Sequence, residues 1–183
     1  SLEKAGDSAK ASVQSALVSL GDLLAGYNAI IDGEASDKHS AYKKLTGDFK
    51  TTEKKLDKAK KDVASLGKEA DKFFSAWEKD LASISSDSVR EKSAARLELA
   101  KQRYVALGDT LTKARAELAP VIQDLSDQIL FLGRDLSPEA IADLQDEAEA
   151  LNRQAAEATE TVKAMLQSAG KAQAEAETAI DEE

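Results

Sequence analysis

The sequence predicts an all-α protein, an elongated antiparallel helical bundle or coiled coil of about four helices, three of them very long. Three observations carry that prediction. Apolar residues recur at alternating steps of four and three along nearly the whole chain, the stripe of helices packed along their lengths. Charged residues make up 32% of 183 residues beside only two prolines, a long-helix composition, and 4% aromatics argues against an aromatic-rich β-sandwich. The periodic runs are separated by short breaks with helix-end chemistry, which makes successive helices antiparallel within one elongated domain spanning residues 1–183.

The first run, about residues 4–31, places Val13, Leu17, Leu20, Leu24, Tyr27 and Ile31 on one stripe. Asp32-Gly33 ends it, with Gly33 suited to the left-handed position after a helix, and Ser36 or Asp37 suits the next N-cap. The second run, about residues 38–84, carries a stripe from Leu45 through Leu56, Val63, Leu66 and Ala70 to Phe73, Trp77, Leu81 and Ile84, with a one-residue slip near Trp77. Ser85-Ser86-Asp87-Ser88 breaks the pattern, and Ser88 with Glu91 has capping-box spacing.

The third run, about residues 88–132, is striped by Leu97, Ala100, Tyr104, Leu107, Leu111, Leu118, Ile122, Leu125, Ile129 and Leu132. Pro120 lacks an N–H for the Ala116 carbonyl; because the stripe continues in phase, the expectation is a kinked but continuous helix, with a break as the alternative. Gly133 closes it. Ser137 as N-cap, Pro138 in the first turn, and Leu136 with Ile141 as a hydrophobic staple open the fourth run, about residues 138–180. Alanine dominates the second half of that run; small side chains bury little area at about 25 cal/mol per Å2, so this end is expected to fray first. Helices of roughly 45 residues are rods roughly 65–70 Å long.

Charge is unevenly spread. The net charge of −9 divides into −4 over residues 1–37, +4 over 38–85, zero over 86–136 and −9 over 137–183. The basic second segment is expected to lie beside the acidic fourth. So acidic a chain is a poor ligand for nucleic acid or an anionic bilayer, and the lysines from Lys43 to Lys72 interleave with carboxylates at helical spacing. No run approaches the roughly 20 apolar residues of a membrane span.

Catalytic machinery is not in the pattern. Cysteine is absent, which removes thiolate chemistry, and the single histidine, His39, lies in the polar stretch Asp37-Lys38-His39-Ser40 and reads as a solvated side chain. Nucleophile elbows, phosphate loops, Glu-x-x-His di-metal motifs and calcium loops are missing, so no catalytic, cofactor-binding or metal-ligating residue is assigned, and no small-molecule substrate. Two apolar concentrations stand out, at opposite ends of the rod. Phe73, Phe74 and Trp77 cannot all share one stripe, Phe74 being the odd one out, and Leu130 with Phe131 overfills a helix face. Such clusters either thicken the core or form an exposed patch for a partner or for self-association.

Three stretches resemble a bacterial family, domain of unknown function 2959, of predicted secreted or lipid-anchored helical proteins. They are Leu2-Glu3-Lys4-Ala5-Gly6, the aromatic stretch from Phe73 to Leu81, and the stretches Ala119–Ile122 and Asp127–Leu132 running on to Ala140–Gln145. The resemblance implies a periplasmic or envelope-associated lipoprotein and nothing catalytic. Since the chain opens at Ser1 rather than a Met, any leader and lipid anchor would lie ahead of Ser1. The function expected is therefore a non-enzymatic structural or adaptor protein of the cell envelope. The alternative is a peripheral membrane protein whose amphipathic helices bind or remodel lipid.

Overall fold

The first helix, α1 (Leu2–Ile31), ends as Asp32-Gly33 predicts. Gly33 takes φ +75°, and the Ala35 amide reaches back to the Ala29 carbonyl at 2.9 Å, satisfying a carbonyl that the helix leaves open. These features belong to a computed structural model that describes the backbone of residues 1–181 and the side chains of residues 1–178 and 180. The second helix, α2 (Lys38–Ser83), is capped by Asp37, whose carboxylate accepts from the Ser40 amide at 3.0 Å. At 46 residues it is a rod of about 69 Å. Helix α3 (Asp87–Glu117) starts one residue before the expected point, because Ser86 rather than Ser88 is the cap and accepts from Val89 N–H at 3.4 Å.

The expected continuous third helix is divided. The hydrogen-bond ladder stops at Glu117 and resumes in α4 (Ala119–Leu132), with Leu118 between them. Pro120 is the cause: without an N–H it cannot bond to Ala116, and the Leu118 amide turns instead to Arg115 at 3.2 Å. Leu118 stays in the right-handed helical region (φ −81°, ψ −20°), so the chain bends without reversing. The buried stripe keeps its steps of four and three across the break, through Leu111, Ala114, Leu118, Val121 and Leu125, so Val121 is buried where Ile122 was expected and Ile122 is only partly covered.

The fourth run is divided too, into α5 (Pro138–Asp143) and α6 (Gln145–Asp181) around Leu144. Its start is as expected, with Ser137 accepting from the Ala140 amide at 3.2 Å and Pro138 in the first turn. The break has a packing cause. Ile141 and Leu144 are both buried, while the Gln145 side chain donates to the Ile31 carbonyl at 3.1 Å, tying the start of α6 to the end of α1.

Among the described residues there is no strand, and the helices form an all-α bundle. α2 packs on α1 and α3, and α6 packs on α3 and α1, so α2 and α6 occupy diagonal corners. The expected pairing of basic α2 with acidic α6 is thereby overturned. Short connections make consecutive helices neighbours, and surface charge pairs worth about 0–1 kcal/mol each do not override that constraint. The core runs the length of the bundle. Leu45, Thr52, Ala59 and Leu66 of α2 recur every seven residues against the α1 face that includes Val13, Leu20, Leu23 and Ile30. Thr52 enters this core by sharing a hydrogen bond of 2.7 Å with Ser19.

Candidate interaction surfaces

Helix α2 departs from its seven-residue rhythm between Leu66 and Phe74, an eight-residue step. The slip falls about one turn earlier than the stripe predicts and exchanges two aromatic rings: Phe74, expected off the stripe, is 6% exposed, and Phe73 is 37% exposed. Phe74 is held by the Tyr104 ring of α3, centroids 6.0 Å apart and edge-on. Phe73 lies over Phe74 and Trp77, at 5.4 and 6.1 Å. Trp77 is half-buried, with its indole N–H donated to Ser93 Oγ at 2.9 Å.

At this level Leu2 of α1, Phe73 of α2, Tyr104 of α3 and Ile180 of α6 surround a hollow of about 370 Å3. Beyond it, among the described residues, only α2 and α3 continue. They form a two-helix arm extending roughly 15 Å from Phe73 to the end of α2. Trp77–Ser93 holds the arm's two helices together, as does the Lys101–Glu78 ion pair at its base, and Arg90 donates to the Ile84 carbonyl at 2.7 Å across its tip.

Along the outer seam of α2 and α3 runs a groove of about 610 Å3, reaching from Val63 and Gly67 to Phe74 on one wall and from Tyr104 to Gly108 on the other. Gly67 and Gly108 line the groove and face open space, where a Cβ at either would meet nothing within 4 Å. Val105, 63% exposed, stands on its rim. At the other end of the bundle Leu130 is 67% and Phe131 43% exposed, while Ile129 and Leu132, which flank them in sequence, are buried. Of the five residues singled out for an interaction patch, Phe73, Leu130 and Phe131 are therefore exposed, Trp77 is partly covered, and Phe74 belongs to the core.

No group of three or more His, Asp or Glu side chains among the described residues is placed to hold a metal ion. His39 is exposed beside the Asp37 cap. No helix of the described chain is long and apolar enough to cross a membrane.

A family model described as protein of unknown function, DUF2959, matches residues 2–181. The chain belongs to this family. No curated protein and no solved structure matches the chain. The DUF2959 match spans every helix described above and assigns no chemistry to any of them.

Two buried polar features of this DUF2959 protein escape a reading of its apolar stripe. Near the α1–α2 turn, the fully buried Tyr27 donates its hydroxyl to Gln128 of α4, and Asn28 and Asn152 of α6 exchange two hydrogen bonds, each 2.9 Å. Burial first, and the Glu147 charge second, push the Tyr27 phenol well above its ordinary range. At the opposite end Gln173 is 2% exposed and occupies a core position of the alanine-rich helix. It donates to Asp7 at 3.1 Å and to Glu177 at 2.5 Å, and its oxygen packs on Gly6 without a hydrogen-bond partner.

Proposed function

We propose that this DUF2959 protein is a non-enzymatic structural or adaptor component of the bacterial cell envelope, a rod that presents docking surfaces at its two ends. What supports this reading is the placement of Phe73, beside the arm, and of Leu130 and Phe131, on the far end: these are the aromatic rings and the most exposed leucine among the large apolar side chains that meet water, the others being the single aliphatics Val18, Val89, Leu99 and Val105. The rigid helices fix the separation between these surfaces. The envelope part of the reading rests on the family resemblance, which implies a secreted or lipid-anchored protein.

The test is site-specific photo-crosslinking in cells, with the probe at position 73, 105 or 130, combined with fractionation. The expected result is protein in the envelope fraction and a discrete adduct from at least one site. Cytosolic protein without adducts would overturn the proposal. Salt-reversible flotation of the unlipidated chain with anionic vesicles would replace it by the lipid-binding reading.

A further inference from the structure

Helix α2 carries eight lysines and three carboxylates between Lys43 and Lys61, while the stretch from Glu139 to Glu160 carries seven carboxylates and Arg153 as its one base. The bundle sets these helices at diagonal corners, where they cannot neutralise each other. Pairs within each helix absorb part of the charge, as in Lys61–Asp57 at 2.6 Å and Glu149–Arg153 at 2.7 Å. Among the described residues Lys43, Lys50 and Lys54 form no ion pair, nor do Asp146 and Glu157.

Spacing turns both sets into ridges. Lys43, Lys50, Lys54 and Lys61, at steps of seven, four and seven, share the solvent face of α2, and all four are exposed; Asp57 lies on the same face, paired with Lys61, and leaves the ridge net positive. Asp146, Glu149, Glu157 and Glu160, at steps of three, eight and three, share the solvent face of α6 and are likewise exposed; Arg153 lies on the same face, paired with Glu149, and leaves the ridge net negative. At 1.5 Å per residue the ridges are about 27 Å and about 21 Å long. The neighbouring helix blunts the basic one at one point, where Asp22 of α1 faces Lys44; from Ser8 to Gly21 α1 has no acidic residue, and there it borders α2 through Ser8, Ser12 and Ser15 beside Lys55 and Lys58.

We propose that the lysine ridge of α2 docks on the carboxylate ridge of α6 of a second copy of this chain, side by side. The occupant follows from charge. A nucleic acid or anionic bilayer approaching the lysines would meet a molecule of net charge −9, whereas a second copy offers a ridge of opposite sign and similar length on a rigid helix. Because the two ridges point away from each other, each docked pair leaves one of either sign open. The contact is heterologous, and association continues beyond the dimer.

Sedimentation velocity of the whole chain tests this. At about 20 mM salt the average mass is expected to rise above 19.5 kDa with protein concentration, and to return to it near 500 mM as screening shortens the reach of charge. Lys50→Glu/Lys54→Glu and, separately, Asp146→Lys/Glu157→Lys are each expected to weaken association at least tenfold while leaving the helical circular dichroism unchanged. An equimolar mixture of the two variants is expected to associate again, since each supplies the ridge that the other has lost. A wild-type chain that stays monomeric at low salt overturns the proposal, as does association indifferent to both variants, or a mixture that fails to restore it.

Discussion

Asn28 of α1 and Asn152 of α6 lie 124 residues apart in sequence and face each other as a reciprocal amide pair, both N–H···O distances being 2.9 Å. Asn152 also donates to the Ala148 carbonyl at 2.8 Å, so the pair is anchored to the backbone of α6. A longitudinal slip of either helix would separate the two amides, whereas leucines tolerate many alignments. The pair thus fixes the register of α1 against α6.

Replacing one partner should therefore be worse than replacing both. Asn28→Ala leaves the Asn152 amide short of a partner in a half-buried site and is expected to cost about 1–3 kcal/mol in urea denaturation. Asn28→Leu/Asn152→Leu should fall well below that. A double variant as unstable as the single one would show that the amides do not act as a pair.

Phe73 and Phe74 should differ sharply although they are adjacent. Phe74→Ala empties a core site against Tyr104 and is expected to cost about 3–5 kcal/mol. Phe73→Ala, at a ring 37% exposed that packs on Phe74 and Trp77 outside the core, should cost clearly less, about 1 kcal/mol. Thermal unfolding of the two variants decides the register of α2, since the reverse ranking would return Phe73 to the core.

Gly6→Ala should be destabilising, whereas Gly67→Ala should be neutral or stabilising. A Cβ at residue 6 would lie 2.8 Å from Oε1 of the buried Gln173, an overpacking worth about 1–3 kcal/mol. At residue 67 the space is open, and alanine gains helix propensity of about 1 kcal/mol over glycine. The two changes should move Tm in opposite directions.

Tyr27 sets an alkaline limit. Its phenol is held neutral in the folded state by burial and by Glu147, so its folded pKa is raised above the ordinary 10.0. That contribution is fully present below pH 10 and is lost as pH rises from there toward the folded value. Wild type should lose stability between about pH 10 and 11 more steeply than Tyr27→Phe, even though the variant, lacking the bond to Gln128, starts lower. Equal slopes would remove Tyr27 from the account.

Asp37 acts at the other extreme. Hydrogen bonds from the Ser40 backbone and hydroxyl hold its carboxyl below the usual range, so the cap contributes above the unfolded value and is lost as pH falls through the folded one. Asp37→Ala should lower Tm at neutral pH and make no difference once the carboxylate is protonated in strong acid.

The helix ends that depend on local chemistry were legible from sequence. Gly33, the Asp37 cap and Ser137-Pro138 act through bonds within a few residues of themselves, and the structure uses each as expected. The break at Leu144 was not legible, because neither proline nor glycine marks it and its cause, the reach of Gln145 to Ile31, spans 114 residues. The apolar stripe places Phe73 on the core face and Phe74 off it, and the structure reverses the two because Tyr104, on another helix, packs against Phe74. Leu130 and Phe131 could be identified as surplus to their helix face, but Gln173 could not be identified as a core residue. Its burial depends on the space above Gly6, which exists only once α1 and α6 have met.

The interruption at Leu118 has a mechanical consequence. α1 and α2 run as unbroken helices, and α6 is unbroken beyond the division at Leu144, so at the level of Leu118 one corner of the beam has a gap in its hydrogen-bond ladder while the other three are continuous. A sideways load should flex the beam toward or away from that corner more readily than in any other direction, giving the molecule a preferred plane of bending set by one proline.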